Sequence, residues 1–164
     1  CGRLDAFALA EHLNIQVIGI DKITGVSDND LAHLKGQNGN DIEWHAATVP
    51  CDGKPFILHN TGNSGVRQQS DIMHEIAHII CEHKHESSNV NLPWFMRSYN
   101  PNYQAEAEYL GAVLQVTKAG LFWKLKSKES IANIAEYFNA STDMVKFRIA
   151  QTGAGKIYKN ITLH

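Results

Sequence analysis

The apolar positions of this chain change period from segment to segment, and each period predicts an element. Leu4, Phe7, Leu9, Ala10 and Leu13 fall close to helical spacing, which predicts a short amphipathic helix over residues 4–13. Ile15 to Ile20, reading Ile-Gln-Val-Ile-Gly-Ile, is rich in β-branched residues and predicts a strand. Ser27 and Asp28 offer an N-cap for a short helix through Leu34. Residues 43–49 and 55–60 read as two more strands joined through Asp52-Gly53, a strong hairpin signal. Pro55 confines the second of them to a strand start or a sheet edge, and Phe56 to Asn60 is expected as an edge strand.

Beyond the polar loop 60–65 a long helix is predicted from Val66 to about Glu82. A loop over 86–101, punctuated by Pro93 and Pro101, leads to a helix over 102–119 that is expected to stop at Gly120. Two short helices, 129–138 and 142–151, flank Asn139-Ala140-Ser141 and have the outline of a helix-turn-helix. Helix, strands and then helices define an α+β order. The expected division is a catalytic domain over 1–126 and a helical C-terminal extension over 127–164 packed on it.

Composition narrows the function classes. Fifteen Lys and Arg against seventeen Asp and Glu give a net charge of −2, which argues against a protein whose main task is to coat nucleic acid or an anionic membrane. The longest apolar runs are far too short to span a bilayer. Cys1, Cys51 and Cys81 form no CxxC pair and fit a reducing compartment, so a cytoplasmic location is expected. The first residue, Cys1, reads as an excised rather than a native start. Four of the nine histidines fall between residues 74 and 85, and this clustering directs attention to one segment.

That segment contains His74-Glu75-Ile76-Ala77-His78, an HExxH motif. On a helix, residues four apart share a face, so His74 and His78 can bind one Zn²⁺ together. Glu75 is placed to accept the proton of a water attacking a carbonyl. The surrounding Ile72, Met73, Ile76, Ala77, Ile79 and Ile80 make this a core helix, where ionisable side chains need partners that a metal supplies. Positions 81 and 84 are Cys and Lys, which rules out a third histidine at HExxHxxGxxH spacing. The third ligand is then sought in Gln104-Ala105-Glu106-Ala107-Glu108. Glu106 aligns with Leu110, Val113 and Leu114 on an expected apolar face, and Glu108 with Ala112 and Gln115 on a more polar one. Glu106 is therefore the predicted ligand, giving His74, His78 and Glu106 for the metal and Glu75 for the base. This is a gluzincin-type hydrolase site on a zincin-like core.

The stretch His74 to His83 resembles the HExxH helix of the ImmA/IrrE family of metallo-endopeptidases. Phe56-Ile57-Leu58-His59-Asn60 is similar to that family's strand ending in Asn, Arg67-Gln68-Gln69 to the opening of its helix, and Glu106 to Ala112 to the helix carrying its glutamate ligand. Ala77 stands where Gly is common, and Leu114-Gln115-Val116-Thr117 replaces Leu-Leu-x-Pro. The resemblance covers roughly residues 10–125. It implies a zinc-dependent endopeptidase whose protein substrate is a helix-turn-helix transcriptional repressor or antitoxin. A toxin or effector protease shares the chemistry, and a non-catalytic regulatory or DNA-binding module on a zincin core is the rival from another class. An intact Glu75 argues against that rival.

Other residues carry weaker signals. Cys81 shares the histidine face and is expected as a small buried filler, with a metal-bound thiolate as the alternative. His83 and His85 are expected at a solvated helix end. Arg67 is expected at the surface or pinned to a carboxylate. Tyr99, Tyr103, Tyr109 and His59 are the possible oxyanion donors. From residue 126 onward six Lys and Arg face three Asp and Glu, too sparse for a dense DNA-reading face, so direct DNA binding is not expected. Residues 152–157, Thr-Gly-Ala-Gly-Lys-Ile, lack the first Gly and the final Ser or Thr of a phosphate loop.

Overall fold

A computed structural model describes residues 2–37, 44–51, 54–83 and 100–157. The architecture is α+β, with a zincin-like core. Helix α1 (Ala6–His12) starts where the Asp5 carboxylate accepts from the backbone N–H of Phe7 and Ala8. It leads to strand β1 (Gln16–Gly19), a short 3₁₀ turn (Ile20–Lys22) and α2 (Asp28–Leu34), which Ser27 caps as its sequence predicts. Strands β2 (Ala46–Cys51) and β3 (Lys54–His59) follow, then α3 (Gly65–Ile80), the helix carrying the HExxH motif. The hairpin tip Asp52-Gly53, the loop 86–99 and His85 lie outside the described residues.

The sheet has three strands in the order β1-β3-β2, with β1 parallel and β2 antiparallel to β3. β3 is therefore the central strand, which corrects the expectation that Phe56 to Asn60 lies at an edge. Pro55 is accommodated at the second residue of the strand, opposite Pro50, so its missing N–H falls near the hairpin end. The pair Thr48 and Ile57 stands in register, and both residues are buried. Ile57 joins Ala6, Ala10, Ile15, Ile72, Met73 and Ile76 in one apolar cluster, so sheet, α1 and α3 close on a common core. Gln69 of α3 stitches the chain start to this core: its Oε1 accepts from the Ala6 N–H and its Nε2 donates to the Leu4 carbonyl, both at 3.0 Å.

The predicted helix over 102–119 is two helices. α4 spans Pro101–Gln115, and α5 spans Lys118–Lys126 from a Thr117 N-cap whose hydroxyl accepts from the Gly120 N–H. Gly120 thus sits inside α5 rather than ending α4. A Cβ there would stand 2.8 Å from the Phe138 ring, so close packing explains the glycine. α6 (Ile131–Phe138) and α7 (Thr142–Thr152) flank a turn at Asn139, whose φ of 49° is left-handed, and α8 (Ala154–Ile157) ends the described chain. Val116, Leu121, Leu125, Ile134, Phe138 and Val145 belong to a second apolar cluster, so α5 packs with the C-terminal helices. Arg148 is buried there and donates from Nε to the Val116 carbonyl at 2.9 Å, satisfying a helix end that would otherwise be orphaned.

Candidate metal centre

α3 runs sixteen residues from a Ser64 cap, with its buried face reading Gln69, Asp71, Ile72, Met73, Glu75, Ile76, Ala77 and His78. Its start is pinned by Arg67, whose Nε donates to Asp71 Oδ1 at 2.9 Å. Asn63 Nδ2 donates to the same carboxylate at 3.3 Å. The pairing expected of Arg67 is thus with Asp71, one turn along the helix. Burial pushes the Asp71 carboxyl above the ordinary aspartate range, opposed chiefly by Arg67 and also by His45 and His74.

His74 and His78 turn their rings toward each other, with Nε2 atoms 3.1 Å apart. Two ligands bound at about 2.0–2.1 Å in a tetrahedral shell stand roughly 3.4 Å apart, so this spacing fits a shared Zn²⁺. Gln104 Oε1 lies 3.2 Å from His74 Nε2. Glu75 is buried, and the Thr48 hydroxyl donates to its Oε2 at 2.6 Å. A residue of β2 thereby fixes the orientation of the predicted base.

Glu106 is placed differently from its expectation. Its side chain is 61% exposed, and Leu110 and Val113 are only half-buried. The buried face of α4 is Ala107, Gly111, Ala112 and Gln115, so the inward face assigned to Glu106 is corrected. The reason is the closeness of α3: a Cβ on Gly111 would be 3.2 Å from His74 Cα, so small residues, not large apolar ones, fill this crossing. Glu106 sits at the rim instead, with Oε2 3.0 Å from His83 Nε2. Glu108 is also exposed.

His83 is not solvated, as its place near the helix end led us to expect. Its side chain is 6% exposed, its Nδ1 lies 2.8 Å from His78 Nδ1, and its ring stacks on Tyr103 at 4.5 Å between centroids. It links Glu106 to His78, the kind of outer contact that fixes the tautomer and orientation of a metal-binding imidazole. Cys81, the C-cap of α3, is partly exposed rather than buried filler. Burial and the nearby Glu106 carboxylate raise its thiol above the ordinary value. Among the described residues, Cys81, His83 and Glu106 have ligand atoms that all lie within 4.8 Å of one another.

Of the possible oxyanion donors, Tyr103 is the one stacked in this centre. Tyr109 is 54% exposed, His59 is buried edge-on against Phe7, and Tyr99 lies outside the described residues. Burial holds the His59 imidazole below its ordinary value, with Asp21 opposing. Sequence reasoning did not single out Thr48, Gln104 or Gly111. Gly111 alone left a trace, as a glycine in mid-helix where one is unfavourable unless packing requires it.

The chain matches the IrrE N-terminal-like domain family of peptidases over residues 10–150 and belongs to it. It is thereby a metallopeptidase-type protein of a family that is typically metal-dependent. No curated protein and no solved structure gives a significant match. Among the described residues no helix is long and apolar enough to cross a membrane.

Proposed function

We propose that the chain is a zinc-dependent endopeptidase that cleaves a helix-turn-helix transcriptional repressor or antitoxin. The observation carrying this reading is the convergence of His74 and His78 Nε2 at 3.1 Å beside a Glu75 held by Thr48. His74 and His78 would hold the Zn²⁺, with Glu106 at the rim as the third donor. When bound, the ion supplies Lewis-acid polarisation of the scissile carbonyl and of water. Glu75 accepts the proton of the attacking water and returns it to the leaving amine. Thr48 keeps the Glu75 carboxylate aimed.

β2, with Thr48 on it, pairs on one side only among the described residues. An extended substrate added to this edge would run beside the base. β3, paired on both sides, cannot take that part. The burial of Arg148 and its bond to Val116 count against a DNA-reading role for α7, because a buried guanidinium cannot reach phosphate or base.

The test incubates zinc-loaded wild type and Glu75→Gln with a purified repressor encoded beside this chain. Metal content is measured in parallel. Cleavage by wild type, with zinc retained and cleavage lost in Glu75→Gln, is the expected result. Equal cleavage by both proteins overturns the role of Glu75, and absence of zinc from both overturns the metal assignment.

A further inference from the structure

The C-terminus of α3 is built as a return. The Cys81 N–H donates to the Ala77 carbonyl at 2.9 Å, and the His83 N–H to the His78 carbonyl at 3.1 Å. Between them Glu82 adopts a φ of 53°, a left-handed conformation that is unfavourable for a residue with a side chain. This turn brings His83 back against His78 instead of letting it run on into solvent. Cys81, at the cap, and Glu106, arriving from α4, stand beside it.

The three side chains differ in chemistry but share a preference. Thiolate, imidazole and carboxylate are the donor types that bind zinc, and a set of one each is a soft-to-borderline site rather than a calcium or magnesium site. His83 Nε2 and Glu106 Oε2 are already 3.0 Å apart, near the spacing of two ligands on one tetrahedral ion. All three donor atoms fall within 4.8 Å, so closure onto one ion takes a side-chain movement on the order of 1 Å. The exposure of Glu106 leaves an open side for water as the fourth ligand.

We propose that Cys81, His83 and Glu106 form a second site for a thiophilic divalent cation, Zn²⁺ by donor chemistry, adjoining the His74–His78 pair. Binding takes the Cys81 thiol proton to solvent and forms a metal–sulfur bond, with no redox change. The function proposed above concerns the ion on His74 and His78, and the two share Glu106 as a donor. A carboxylate counted in both sets must bridge the ions or serve one of them, and the Nδ1–Nδ1 contact of His78 and His83, which holds one proton, must open when both Nε2 atoms are on metal, so the second ion binds more weakly, in a separate phase.

The experiment titrates the metal-free full chain with Co²⁺ and follows the thiolate-to-cobalt charge-transfer absorption in the near ultraviolet. Wild type, Cys81→Ser, His83→Ala and His74→Ala are compared. Wild type should take up about two equivalents, the charge-transfer band growing with the weaker phase. Cys81→Ser and His83→Ala should both lose the band, and His74→Ala should keep it. A wild-type protein without the band at saturating Co²⁺ overturns the proposal, and so does a band that survives in Cys81→Ser. Loss of the band in His74→Ala overturns the separate site, because the thiolate then belongs to the ion on the HExxH pair. Failure of the endopeptidase reading shows differently, as absence of the band-free first phase while the band itself remains.

Discussion

Gly111 lies against the backbone of His74: a Cβ added to it would stand 3.2 Å from His74 Cα and 3.3 Å from His74 N. The helix bearing Glu106 therefore crosses the helix bearing the motif at the first motif histidine, backbone to backbone. Gly111→Val should force α4 away and destabilise the fold by about 1–3 kcal/mol, the usual range for overpacking. Gly111→Ala should cost less, since the neighbours need to give by only a few tenths of an ångström. Urea unfolding of both variants beside wild type measures this, and a Val variant of wild-type stability would contradict the crossing.

Thr48→Val keeps the shape of the side chain and removes the hydroxyl that donates to Glu75 at 2.6 Å. Zinc content should be unchanged, because Thr48 is no ligand. Turnover of a cleavable substrate should drop about 10–100-fold, as for loss of an outer partner at a metal site. Unaltered turnover would show that Glu75 needs no such support.

Glu106 and Glu108 are two residues apart and point about 200° apart around a helix. Glu106→Ala should weaken zinc binding at least about tenfold in competition with a chromogenic chelator, by loss of a ligand. Glu108→Ala should change stability by about 0.5 kcal/mol or less, as an exposed substitution. The reverse pattern of zinc loss would move the ligand to Glu108.

Asp71 gives a pH signature. Burial raises its carboxyl in the folded chain, so the folded state holds that proton more tightly than the unfolded one. Its contribution to stability is present at acid pH and is lost as pH climbs from the ordinary aspartate value, about 3.9, through the raised folded one. Asp71→Asn carries no such titration. The stability difference, wild type minus Asp71→Asn, should therefore fall as pH rises through that window, read from urea midpoints in matched buffers. A difference that grows with pH would mean that the Arg67 partnership outweighs burial.

Most of the local structure is written in the sequence, including the shared helix face of the motif histidines. His74, Glu75 and His78 are readable because a helix repeats every 3.6 residues, and four-residue spacing puts two imidazoles on one face whatever surrounds them. Ser27 and the helices of the tail are legible for a similar reason, since caps and apolar periodicity act within a few residues. Tertiary structure decided what depends on partners distant in the chain. That β3 is central follows from β1 pairing along it, a long-range contact that Pro55 does not forbid. The face of α4 turned inward was set by how closely α3 approaches, which favoured Ala107 and Gly111 over Leu110 and left Glu106 at the rim. Local spacing placed His83 at a helix end, and only the turn at Glu82 brought it under His78 and beside Glu106. Side-chain periodicity is a property of one element, whereas burial and ligand gathering are properties of two elements in contact, and that contact is absent from the pattern of either.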